Sequence, residues 1–358
     1  MSIKPNPFVE HLTPYATTSQ EPWVVTDRAN LRKMDWNEGP GPQKFLKELA
    51  VKLLTQDEMI SWYPDCNTFD LTETLAAYLR VSEMNILTFP GSDVALETLC
   101  RTFLCPDERV VVLTPTYEHA FVYIAAMGAQ VVRYALEKPF ELDTEALASF
   151  LSQNPAKAVY LVRPNNPCGY MLDAAFIQRL CADFPQMLVV ADEAYIEFSD
   201  QPSLAQTAAE MNNLVVLRTF SKAFSLAGLR VGYMIAHHDI LKYVSRLRNG
   251  KNISMLGQVL AMESLKRLDL LEQHVQDVKR ARDWLCERFA EHGIVFYPTQ
   301  GNFILFEIDN PRQIVAGLKV RGIYVRDRSS AISGCIRVTI TDRASTEYFW
   351  ASLQGLIG

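Results

Sequence analysis

The sequence lacks any C-x-x-C pair, any basic excess, any long apolar run and any low-complexity tract, and each absence excludes a class of function. Its seven cysteines (Cys66, Cys100, Cys105, Cys168, Cys181, Cys286 and Cys335) are odd in number. They predict neither a disulfide framework nor a metal site, and they suit a reducing compartment. With 35 basic against 41 acidic residues the net charge is −6, so a nucleic-acid partner is not expected. The longest apolar stretch, residues 121–132, contains Gly128 and Gln130 and is too short to span a bilayer. The first ten residues hold two prolines and no apolar segment, so no signal peptide is expected. These readings predict a soluble cytoplasmic chain with no membrane partner. Hydrophobic residues make up 49% of the 358 and charged residues 21%, the composition of a folded chain rather than a disordered one. That length buries enough apolar surface to need no staples, and it predicts about two domains.

Residues 1–43 read as an irregular arm punctuated by Pro5, Pro7, Pro14, Pro22, Pro40 and Pro42. An arm this long should lie on its own body or on a second subunit. Residues 44–55 place Phe45, Leu46, Leu49, Leu53 and Leu54 on one helical face. From Gly91 onward helical patterns alternate with short apolar runs: RVVVLTP, AQVVRYAL, AVYLVRP, MLVVADEA and NLVVLRTFS. Ser92 or Asp93 can cap one helix and Asp143 another. Runs that are apolar throughout, separated by helices, predict parallel strands covered on both faces, a doubly wound α/β fold. After Gly250 come long helices and then short β-rich pieces, NFILFEI, GIYVRDR and CIRVTIT, around one further helix. The expected division is an arm (1–43), a large α/β domain (44–249) and a smaller α+β domain (250–358).

Chemistry concentrates at the predicted strand ends. RTFSKAFSLAGLRVGY (218–233) puts Thr219, Ser221 and Lys222 at the mouth of an apolar strand, with Arg230 further on. Ligands of open α/β sheets bind at such ends, and a lysine amine can condense with a carbonyl. A single lysine in a polar loop is ordinarily a surface residue. What sets Lys222 apart is its company. Asp192 ends the very apolar strand MLVVAD, where a carboxylate is costly unless it meets a cation, and Tyr195 follows. LVRPNNPCGY ends a third strand in a turn-rich stretch. TFPGSDVAL offers a helix start whose free N–H groups suit a phosphate.

In this order GSD, PTY, RPNNPCG, DEAYIEF, TFSKAFSLAGLRVGY, NF and CIRVTIT resemble the fold-type I pyridoxal-phosphate aminotransferases, classes I and II, and among them the histidinol-phosphate aminotransferases. The resemblance runs over nearly the whole chain. It implies a mainly parallel seven-stranded sheet flanked by helices, a smaller C-terminal domain and an N-terminal arm. It implies pyridoxal 5'-phosphate as cofactor. Lys222 would hold it and then move a proton at the substrate carbon. Asp192 would pair with the ring nitrogen, Asn166 and Tyr195 with the ring oxygen, and Tyr117 would stack on the ring. Ser92 and Asp93, through helix-start amides, would bind the cofactor phosphate together with Thr219, Ser221 and Arg230. Tyr63 would reach that phosphate from a second subunit, which implies a homodimer with shared sites.

On the substrate side the resemblance assigns Arg337 to the acidic group and Arg326 to the histidinol-phosphate branch in particular, with Tyr15 and Asn37 beside them. Two guanidinium groups on one site suit a phosphate monoester. The chain departs from that branch at ATTSQ after LTPY, at WNEGPGP, at Val94 and at TDR after the last β piece. These changes lie toward the substrate. The expected reaction is transamination of a small phosphorylated amine, histidinol phosphate first, against 2-oxoglutarate and glutamate. Decarboxylation of a phosphorylated amino acid of the O-phospho-threonine or O-phospho-serine type, or transamination of another phosphorylated amine or ketone, is the alternative. A cofactor-binding regulator would need a DNA-binding module, for which there is neither spare length nor a basic patch.

Overall fold

The structure is a computed structural model describing residues 3–14, 21–24, 28, 30–41 and 43–357. Its first strand, β1 (Arg32–Met34), belongs to a small sheet completed only near the end of the chain. The next seven build the large sheet: β2 (Ile86–Phe89), β3 (Arg109–Thr114), β4 (Gln130–Ala135), β5 (Ala158–Val162), β6 (Leu188–Asp192), β7 (Leu214–Thr219) and β8 (Gly232–Ile235). The last four, β9 (Phe296–Tyr297), β10 (Phe303–Glu307), β11 (Ile323–Asp327) and β12 (Cys335–Thr339), complete the small one.

The large sheet runs β2-β8-β7-β6-β5-β3-β4. All pairs are parallel except those of β8, which is antiparallel to both β2 and β7. Strands β5 and β7 are buried at every position because helices cover both faces, which is why they read as unbroken apolar runs. Strand β4 lies at the edge and is the most exposed of the seven. The carboxyl ends of β2, β3, β5, β6 and β7 and the start of β8 lie along the same border, so the loops bearing Gly91, Tyr117, Asn166, Asp192, Lys222 and Arg230 converge there.

The small sheet runs β1-β11-β12-β10-β9 and is antiparallel apart from the β1–β11 pair. Side chains alternate across it. Ile304, Phe306, Ile323, Val325, Ile336 and Val338 lie in one core with residues of the helices Leu268–Glu291 and Arg343–Ile357. Phe303, Arg337, Thr339 and Arg326 share the other face. The helix Met255–Leu265 instead packs against Lys44–Leu53 and Phe69–Leu79, under the large sheet.

The structure corrects several expectations. The arm is not wholly irregular, since residues 32–34 form a parallel strand in the small sheet; three residues are too few to show a period. Its helix Pro7–Glu10 lies on the body, with the Phe8 ring against Gly128. Neither Ser92 nor Asp93 caps its helix: both lie inside Ser92–Phe103, and the cap is Gly91 at φ +86°. Asp143 does cap, accepting from the Glu145 and Ala146 amides at 2.9 Å. Leu54 lies past the end of its helix and is exposed, whereas Leu46 is buried. No helix among the described residues is long and apolar enough to cross a membrane.

Gly232 fixes how closely β8 approaches the helix start. A Cβ there would stand 2.5 Å from Gly91 C and from Ser92 N. Backbone on both sides leaves no flexible atom to yield. We expect Gly232→Ala to cost about 1–3 kcal/mol, read as a lowered melting temperature, with a weakened anion cradle at residues 91–93.

Candidate active site

Lys222 lies three residues past β7 and is half-buried. Its Nζ donates to Trp36 O at 2.8 Å and stands 5.7 Å from the Tyr195 ring centre. Burial, helped by the charge of Arg337, brings this amine down to about 8. Asp192, the last residue of β6, is buried. Its carboxylate accepts from Tyr160 Oη at 2.7 Å and from the Ala194 amide at 3.1 Å. Burial pushes it up to about 6 against the lowering effect of these two bonds. The two groups hold opposite charges in one enclosed region yet have different partners.

Tyr195 Oη accepts from Asn37 Nδ2 and Asn166 Nδ2, each at 3.1 Å. Asn166 Oδ1 in turn accepts from Arg337 Nη1, while Arg337 Nη2 donates to Asp35 O. Asn37 sits at φ +56°, a conformation asparagine tolerates. It is held by its amide to Thr339 Oγ1 at 3.0 Å. Arg326 stands directly opposite Arg337 in the β11–β12 register. The arm, the large sheet and the small sheet thus each supply groups to one cluster.

A second cluster surrounds the start of helix Ser92–Phe103. Thr219 Oγ1 lies 2.9 Å from Ser221 Oγ, and Arg230 Nη1 lies 3.4 Å from the same hydroxyl. Tyr117 Oη donates to Asp93 Oδ1 at 2.7 Å, and Arg230 Nη2 is 3.6 Å from Asp93 Oδ2. The Asp93 side chain therefore faces Tyr117 and Arg230. A Cβ on Gly91 would stand 2.5 Å from the Arg230 guanidinium. Helix-start amides, hydroxyls and a guanidinium packed this closely make an anion cradle. A buried carboxylate, a low-pKa amine and this cradle are together the donor set that a pyridine aldehyde phosphate requires.

Two expected residues are not placed here. Tyr63 is 76% exposed, with Lys251 Nζ 4.7 Å from its ring centre, and among the described residues none of the bonds above involves it. Tyr15 lies outside the described residues. Four further contributors are not among the residues expected from the sequence: Tyr160, Asp35, Trp36 and Thr339. Tyr160 carried a signal, since a tyrosine inside an apolar strand must satisfy its hydroxyl. Asp35 and Trp36 act through backbone carbonyls, which no side chain announces. His237, His238 and Asp239 also bring three possible metal ligands within 4.8 Å of one another. They are consecutive, however, and His237 Nδ1 accepts from the Asp239 amide at the start of a short helix.

The chain belongs to the class I and II aminotransferases: the family model of that description matches residues 32–353. It is 30% identical over 357 residues to a dihydroxyacetone phosphate transaminase of Campylobacter jejuni, covering 98% of this chain and 97% of that one. It is 32% identical over 330 residues to the histidinol-phosphate aminotransferase of Thermoanaerobacter pseudethanolicus, covering 91% and 93%. The histidinol-phosphate aminotransferase of Sinorhizobium meliloti, solved in complex with pyridoxal-5'-phosphate, superposes with a TM-score of 0.88 at 25% identity, covering 100% of this chain and 98% of that one.

Asp192 supplies a pH test on cofactor-free protein. Its folded value, about 6, exceeds the unfolded 3.8, so its stabilising contribution is greatest below the unfolded value and is lost as pH rises through 6. Asparagine does not titrate. Between pH 4 and 7.5 the stability of Asp192→Asn should therefore rise relative to the parent, by up to about 3 kcal/mol. Urea denaturation at the two pH values reads the difference, and parallel curves would contradict the assigned shift.

Proposed function

We propose that the protein is a pyridoxal-phosphate-dependent aminotransferase for a small phosphorylated amine, with histidinol phosphate the leading substrate and 2-oxoglutarate/glutamate the partner pair. The observation that carries this reading is the Arg326–Arg337 pair facing each other beside Lys222 and Asn166. Two guanidinium groups offer paired donors to the several oxygens of a phosphate. The dihydroxyacetone phosphate transaminase relative favours a second substrate, a small phosphorylated ketone and its amine, because it matches nearly end to end.

When bound, the cofactor supplies an electron sink for charge developing on the substrate carbon. This chain's residues would do the rest. Asp192 would hold the ring nitrogen protonated. Asn166 and Tyr195 would fix the ring oxygen, and Tyr117 would cover one face of the ring. Ser92 and Asp93, with Thr219, Ser221 and Arg230, would anchor the phosphate. Lys222, with an amine already poised near neutrality, would carry the proton at Nζ. Arg337, Arg326, Asn37 and Tyr15 would orient the substrate. A homodimer belongs to the same reading, with Tyr63 completing the cradle of a second copy. Val51, Ile60, Trp62 and Phe69 are exposed around that stretch of sequence and suit burial against it. The division into 1–43, 44–249 and 250–358 and a cytoplasmic location belong to the same reading.

Lys222→Ala should lose turnover while still taking up cofactor. Borohydride should fix the cofactor on Lys222 in the parent, as read by peptide mapping, and a label on another residue would refute the reading. Arg326→Ala should raise the KM for the phosphorylated amine more than that for glutamate. Histidinol phosphate, dihydroxyacetone phosphate with glutamate, and O-phospho amino acids form the substrate panel. Carbon dioxide release in place of oxo-acid-dependent amino transfer would establish a decarboxylase instead.

A further inference from the structure

A third arginine shares the face that carries Arg326 and Arg337. Arg326 is opposite Arg337 and Asp327 is opposite Ile336. One residue on, the Arg328 amide donates to Cys335 O at 3.0 Å, so the ladder continues. Alternation then puts Arg328 on the side of Arg326, and Cys335 on the side of Arg337. Ile336, between them, points into the opposite core. Cys335 packs with Cys168, two residues from Asn166, which fixes this face toward the large sheet.

Arg328 is 7% exposed. Its Nη2 lies 3.1 Å from Glu118 Oε1, and its buried Nε has no hydrogen-bond partner among the described residues. Glu118 follows Tyr117 in the chain, and its side chain is 35% exposed. A guanidinium carries five donors. Glu118 therefore leaves a buried N–H unsatisfied on the face that carries Arg326 and Arg337, and its own carboxylate can return to water at little cost.

We propose that Arg328 is a third anion-binding arginine of this site, determining specificity for a phosphate monoester, and that Glu118 is the counter-ion which that phosphate displaces. The proposal rests on the reading above that the substrate is phosphorylated. Charge explains the selectivity. A phosphate monoester near neutral pH approaches two negative charges and offers three acceptor oxygens, enough to replace Glu118 and reach Nε. A carboxylate brings one charge and two oxygens, already engaged by Arg337 and Arg326, so Glu118 keeps its place when glutamate binds. One site can thus take two acidic substrates in turn.

The test uses the holoenzyme with glycerol 3-phosphate, which has neither an amine nor an oxo group, as a calorimetric probe, alongside KM values for histidinol phosphate and for glutamate. Arg328→Gln should weaken probe binding about tenfold or more and raise the KM for histidinol phosphate by a similar factor. The KM for glutamate should rise much less. Arg328→Lys should fall between parent and Gln. Glu118→Gln should do the reverse of Arg328→Gln and tighten the probe several-fold, roughly, because the competing carboxylate is gone. If both substitutions weaken the probe alike, the pair merely joins the two sheets and the proposal is overturned. A parent that binds the probe, with Arg328→Gln unchanged, overturns it as well while leaving the substrate reading intact. A parent with no affinity for the probe, yet active with other amines, overturns the substrate reading and this proposal together.

Discussion

The site depends on keeping a carboxylate and an amine close, enclosed and unpaired with each other. Strands β6 and β7 are parallel neighbours, and Asp192 and Lys222 emerge from their adjacent ends. Burial drives both toward their neutral forms, the acid upward and the amine downward. A direct ion pair would reverse both shifts and close the site on itself. The fold avoids this by giving each group a neutral partner. Tyr160 and the Ala194 amide hold the carboxylate, and the Trp36 carbonyl holds the amine. On the proposed reading the acid would then meet a protonated heterocycle, and the amine, brought down to about 8, would lose its proton near neutrality.

The second half of the site comes from the alternation of side chains on the small sheet. One face is apolar and buries Ile323, Val325, Ile336 and Val338 against long helices. The other carries Arg326, Arg337 and Thr339 toward the large sheet. A one-residue slip in the β11–β12 register would exchange these sets, so hydrophobic burial on one side fixes the arginines on the other. The arm joins the two units. Residues 32–34 pair with β11, while Asp35, Trp36 and Asn37 bond to Arg337, Lys222 and Tyr195. Gly39 then passes Ser225 so closely that a Cβ would stand 1.9 Å from its hydroxyl oxygen.

What the sequence made legible follows from this geometry. The inner parallel strands of the large sheet are largely apolar because they are covered twice, so β3, β5, β6 and β7 announce themselves and so do the polar residues at their ends. Lys222, Asp192 and Asn166 stand out for that reason. Strand β2 has only four residues, and β8 runs against its neighbours inside a segment rich in chemistry, so neither shows by pattern. Of the arm's part in the site, Asn37 was expected from the resemblance, whereas Asp35 and Trp36 were hidden because they bond through carbonyl oxygens, which every residue possesses. Arg328 and Glu118 were hidden for another reason. They are 210 positions apart, and only the continuing ladder brings the β11 end to the loop after Tyr117.

Two buried ion pairs hold the segment that carries Tyr195. Glu193 and Glu197 flank Tyr195 on the segment that follows β6. Glu193 meets Arg163 at 2.6 Å, just past β5, and Glu197 meets Arg218 of β7 at 2.6 Å. Such pairs are weak evidence for stability, since apolar residues of similar volume often serve as well. What they supply here is direction. Each ties one side of the Asp192–Tyr195 turn to a neighbouring strand end, and Glu193 is fixed further by the Leu204 amide at 2.9 Å. An apolar replacement could fill the same volume but would not specify which way the Tyr195 hydroxyl points. Between Asn37 on one side and Asn166 on the other, that direction allows the arm and the large sheet to share a single hydroxyl.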